Sequence, residues 1–151
     1  MVVAKTNMAH ARLARQFEKH KIKKRYVALV KGIVEFDEGL IDASLGRHPI
    51  YREKKAVREF DAKEAKTFYR VLRRFKNATL IALFPETGRT HQLRVHMAHL
   101  GHPILGDDKY GKKDSFSRLA LHAQSIGFLH PKTSRPIEFS TVLPKEFYGI
   151  S

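Results

Sequence analysis

Residues 66–111 read KTFYRVLRRFKNATLIALFPETGRTHQLRVHMAHLGHPILGDDKYG, and this stretch decides the fold. Its first part predicts two strands, 66–75 and 79–84. They pair antiparallel across a turn at Lys76 and Asn77, as in a hairpin. Its second part predicts a helix over 90–100, stopped by Gly101 with Pro103 beyond. Between the two lies Gly88-Arg89-Thr90-His91-Gln92, which gathers polar and special-backbone residues that a core does not need. Gly88 permits a tight turn out of the strand, and Thr90 is placed to cap the helix and leave backbone N–H groups facing an anion. Leu93, Met97 and Leu100 supply an apolar face. Arg94 clusters with Leu93, Met97 and Ala98 and is drawn inward, where it needs a carboxylate or phosphate partner. The alternative is a solvated basic helix end.

Working outward, residues 7–19 have helical spacing in Met8, Ala11, Leu13, Ala14 and Phe17, with Asn7 as the expected cap. The stretch Lys23–Lys31 reads as a strand, with Tyr26, Ala28 and Val30 on one face and Val27 and Leu29 on the other. Short strands are expected at 39–44, 118–124 and 137–141, and a short helix at 145–150. Strands joined by hairpin-like connections predict an α+β class: a mainly antiparallel mixed β-sheet with flanking helices. No repeat, linker or low-complexity tract divides the chain, so residues 1–151 are expected to form one domain.

Lysine and arginine number 29 against 15 aspartates and glutamates, for a net charge of +14 and a pI near 10.2. Such an excess points to a polyanionic partner, nucleic acid first. The run 19–25, KHKIKKR, precedes Tyr26. An aromatic flanked by cations suits base stacking with phosphate contacts, although an ordinary strand tyrosine reads the same way. No window approaches the roughly 18 apolar residues of a membrane span, and no signal peptide is evident. Cysteine is absent, which excludes disulfides and thiolate metal sites and fits a cytoplasmic location. His96, His99 and His102 are spaced H-x-x-H-x-x-H without a supporting ligand pattern, so no metal is expected. His91 and His96 are instead expected to bond around the turn or to contact nucleic acid. The glycines Gly101, Gly106 and Gly111 punctuate a loop with Asp107, Asp108 and Tyr110, to which spacing assigns no role.

The segments KRYVALVKG (24–32), IDASLGRHP (41–49), AKTFYRVL (65–72), the 86–111 block and LALHAQSIGFLHP (119–131) together resemble the RluA-type pseudouridine synthases, which modify uridines in ribosomal and transfer RNA. The resemblance covers nearly the whole chain. It implies that Tyr26 stacks on the flipped uracil and helps proton transfer, and that Arg94 pairs with the catalytic aspartate. It implies that Arg89, Thr90, His91 and Gln92 line the same cleft, facing RNA, and that Leu121 and His122 pack under the site; Lys21, Lys23, Lys24 and Arg25 are expected to hold RNA from their place in the cationic run beside Tyr26. Neither cofactor nor metal is implied.

The family's aspartate lies in an HRLD-x-x-T-S-G motif before a strand like VVAKT, here residues 2–6. None of the six aspartates (Asp37, Asp42, Asp61, Asp107, Asp108 and Asp114) stands in that context. The expectation is a pseudouridine synthase catalytic fold truncated at its N-terminus, an RNA uridine isomerase inactive as this isolated chain. The alternatives are a non-catalytic basic RNA-binding remnant and a ribosome-associated module.

Overall fold

Val27, Ala28, Leu29 and Val30 are all fully shielded from solvent. Both faces of their strand are therefore covered, and an unbroken apolar run replaces the alternation of a half-exposed strand. In the computed structural model, which describes residues 1–150, this strand is the spine. Helix α1 (Asn7–Glu18) precedes β1 (Lys23–Lys31). There follow β2 (Glu38–Asp42), β3 (Leu45–Arg47), β4 (Lys55–Val57), β5 (Ala62–Lys63), β6 (Lys66–Arg74) and β7 (Ala78–Pro85). Helix α2 (Gln92–His99), β8 (Leu121–Leu129), β9 (Pro136–Ser140) and a 3-10 turn (Lys145–Tyr148) complete the chain.

Six strands form one sheet in the order β2-β6-β7-β1-β8-β9. Every pairing among the described residues is antiparallel, so the expected α+β class holds, but the sheet is not mixed. The β6–β7 hairpin matches the expected pair, with Phe75 N–H donating to Ala78 O across the turn at 2.8 Å. Tyr26 sits opposite Leu83 of β7, and the β1–β8 register shifts beside it, between Arg25 and Tyr26. Leu93 and Met97 of α2 and Phe147 of the terminal turn join the strand residues in one core.

A second sheet, in the order β4-β3-β5, was not legible in the sequence. Its strands run two or three residues each, too short to carry a period. Gly46 is required there, because a Cβ would lie 2.5 Å from Asp61 O. Leu45, Ala65 and Val95 close a small cluster between this sheet and α2.

Two local expectations are corrected. The cap of α1 is Thr6, not Asn7: Thr6 Oγ1 accepts from Ala9 N–H at 3.1 Å. Residues 2–6 are not a strand; Val2 and Ala4 pack irregularly against Leu13, Ile22 and Phe128. Helix α1 is fastened to β8 by Gln16, whose amide donates to Leu129 O (2.9 Å) and accepts from Leu129 N–H (2.8 Å).

Candidate functional site

The turn from β7 into α2 is built around Gln92, which is buried. Its Nε2 donates to Lys66 O and Thr67 Oγ1, each at 3.0 Å. Its Oε1 accepts from Thr87 Oγ1 at 2.7 Å and Arg89 N–H at 3.0 Å. Two donors and two acceptor sites are an amide's full capacity. Gln92 therefore shapes the turn through its amide while it borders the same cleft as Tyr26 and Arg94. Thr90 does not cap α2. The capping residue is His91, in the left-handed region at φ 55° with no side-chain cap bond. The unusual backbone thus falls on His91 and not on Gly88, and such a conformation needs outside support in a residue with a Cβ. Tyr110 gives it: its hydroxyl accepts from Lys55 N–H (3.0 Å) and shares a hydrogen bond with His91 Nδ1 (2.8 Å). Burial, then Arg94 and Lys109, holds the His91 pKa below its ordinary value, so the ring stays neutral.

Arg94 turns inward as expected, and its partner lies within the chain. Arg94 Nε and Nη2 donate to Asp107 Oδ2 and Oδ1 at 2.9 and 2.8 Å, a bidentate pair. Asp107 is shielded from solvent, and its Oδ1 also accepts from Lys109 and Tyr110 N–H, each at 3.1 Å. Burial pushes the carboxyl pKa up, but the hydrogen bonds from Arg94 and the two backbone amides outweigh it and hold the pKa below its usual value. The Arg94 guanidinium lies 5.1 Å from the Tyr110 ring centroid. The glycine-punctuated loop thus holds the carboxylate that fixes Arg94. An inward arginine beside a GDD-x-Y-G loop was the signal for it.

His96 is buried as well. Ala43 O can only accept, so His96 Nε2 carries the proton (2.8 Å), and Nδ1 accepts from Thr67 Oγ1 (2.8 Å). His102 donates its Nδ1–H to Lys31 O at 2.8 Å.

Tyr26 and Arg94 line one cleft of about 540 Å³, together with Lys24, Arg89, Leu121 and Phe17. No carboxylate lines it among the described residues. His122 faces elsewhere: it bonds Thr141 Oγ1 (2.8 Å) and meets Phe147 edge-on, so only Leu121 of that expected pair borders the cleft. Lys24 stands half-buried, its pKa lowered by desolvation. Lys23 and Arg25 border an adjoining cavity, whereas Lys21 lies apart, in a groove with Arg12, Arg15 and Lys19. Thr90 is exposed beside Lys55 and Lys63 of the small sheet.

A family model described as RNA pseudouridylate synthase matches residues 1–99. The uncharacterized RNA pseudouridine synthase YlyB of Bacillus subtilis (strain 168) is 43% identical over 148 residues, covering 97% of this chain and 48% of that protein. Ribosomal large subunit pseudouridine synthase D of Zymomonas mobilis is 43% identical over 157 residues, covering 97% of this chain and 49% of its own length. Among solved structures, human RNA pseudouridylate synthase domain containing 1 superposes with a TM-score of 0.85 at 29% identity, over 94% of this chain and 63% of that one. The chain spans about half the length of the curated relatives it matches. A match over most of the chain by both sequence and fold shows that it belongs to the RNA pseudouridylate synthase family.

Proposed function

We propose that this chain forms the base-binding wall of a site that isomerises uridine to pseudouridine in ribosomal or transfer RNA, in the cytoplasm. The observation that carries the reading is the meeting of Tyr26 and Arg94 in one cation-rimmed cleft. In the reaction the C1′–N1 bond breaks, the uracil turns, and C5 bonds to C1′; C5 gives up its proton and N1 gains one. The uridine leaves its stack to reach the cleft. Tyr26 is the stacking wall and assists the proton transfer. Arg94 orients the carboxylate that acts on the sugar and favours its ionised form. Asp107 uses two of the five guanidinium N–H donors, so three remain for that task. Lys24 and Arg89 hold phosphates beside the base.

No carboxylate borders the cleft among the described residues, so the 151 residues alone bind RNA without turning it over. Two measurements test the proposal. Tritium release from RNA carrying 5-tritiated uridine is expected to stay at background with this chain; release above background means that another carboxylate acts. A single-stranded oligonucleotide is expected to bind less tightly when its uridine is made abasic, and Tyr26→Ala is expected to remove that difference. Equal affinity for both oligonucleotides by the unaltered chain sinks the base-binding reading.

A further inference from the structure

A second cavity of about 720 Å³ adjoins the cleft, and Lys24, Pro85, Thr87 and Arg89 line both. On its floor the Arg25 guanidinium carbon stands 5.7 Å from the Phe84 ring centroid. Gln124 Oε1 fixes that orientation by accepting from Arg25 Nε at 2.8 Å, and Phe84 is braced by Phe68 at 5.9 Å. The result is a cation–aromatic shelf, the kind of surface on which an unstacked nucleobase lies, in a cavity that Glu64, Glu86 and Glu138 also line and where Lys66 pairs with Glu64 at 3.1 Å. Between the cavities stands Lys24. Among the described residues its side chain makes one hydrogen bond, a long one of 3.5 Å from Nζ to Thr87 O. Among the described residues neither Lys24 nor Arg25 belongs to an ion pair. A half-buried ammonium on a shared wall has lost water without gaining a carboxylate, and a phosphate restores the balance.

We infer that this cavity is a second nucleotide subsite: it takes the base next to the target uridine, stacked on Arg25 and Phe84, with the linking phosphodiester on Lys24. The inference rests on the reading of the cleft as the uridine site. It makes the protein recognise a dinucleotide step in an opened strand, and assigns Arg25 a role in binding the neighbour rather than in the chemical step.

Fluorescence anisotropy of the full chain with four short single-stranded RNAs tests it: one intact, one abasic at the target uridine, one abasic at its 5′ neighbour and one abasic at its 3′ neighbour. Loss of one neighbouring base is expected to weaken binding about tenfold, the size of a base-stacking contact. Arg25→Met is expected to become indifferent to that neighbour while still distinguishing the target base. If both neighbour-abasic RNAs bind like the intact one and the target-abasic RNA does not, the subsite is wrong and the cleft stands. If all four bind alike, both readings fall. The comparison of RNAs on the unaltered chain does not depend on whether the variant folds.

Discussion

Arg94 carries five N–H donors, and Asp107 holds two of them in a fixed fork. Removing the carboxylate charge leaves a part-buried guanidinium without its anion. Asp107→Asn is expected to cost about 3 kcal/mol in chemical denaturation, the scale of a broken buried pair. Arg94→Lys is expected to lose stability as well, because an ammonium cannot reproduce the two parallel bonds. Equal stability of all three proteins would remove the pair from the fold's supports. His96 predicts a pH dependence. Burial holds its pKa below the ordinary 6.5, so the unfolded chain takes up a proton that the folded one refuses. Stability is then complete above about pH 6.5 and falls as pH drops below it. The neutral His91 acts in the same direction. Thermal midpoints between about pH 7.5 and 5.5 are expected to decline for the natural chain, and less steeply for His96→Gln. Parallel slopes would count against the histidine.

At the level of elements, the junction of β6, β7 and α2 hangs on one amide. Gln92 ties Lys66 and Thr67 of β6 to Thr87 and Arg89 of the turn. Gln92→Ala removes four hydrogen bonds at once; Lys66 O, Thr67 Oγ1 and Thr87 Oγ1 each keep one other partner (Glu86 N–H, His96 Nδ1 and Lys66 N–H), Arg89 N–H loses its acceptor, and the change is expected to cost about 2 kcal/mol. Thr90→Ala is expected to change stability by less than about 0.5 kcal/mol, since Thr90 is exposed and caps nothing. Urea midpoints for the two variants read the contrast directly. A larger loss at Thr90 than at Gln92 would restore the threonine as the cap.

Over the whole molecule, a net charge of +14 sits on a frame whose cations border connected cavities. Binding to single-stranded RNA is expected to weaken with salt, log K falling by about 0.7 per neutralised phosphate for each unit of log salt. Lys23→Ala is expected to shallow that slope without altering preference for uridine, because a phosphate contact carries no base information. Affinity unchanged between about 50 and 200 mM salt would contradict the electrostatic reading.

Long periodic segments were settled by local sequence. β1, the β6–β7 hairpin and α1 lie where the sequence placed them: α1 seats Leu13 of its periodic stripe, the hairpin follows its turn signal, and β1 carries the short apolar run of a strand covered on both faces. The inward turn of Arg94 was equally legible, since its neighbours on the helix are apolar. The identity of its partner was not. Asp107 is 13 residues away, and only the loop carrying Gly106 returns it to α2. The small sheet, the left-handed His91 and the closed bonding of Gln92 depend on partners brought by other elements, which no local pattern encodes. Residue type and spacing determined which elements form and that a buried cation needs an anion. Only the tertiary structure decided which anion, because hydrogen bonds over about 3 Å are allotted by the packing of segments distant in the chain.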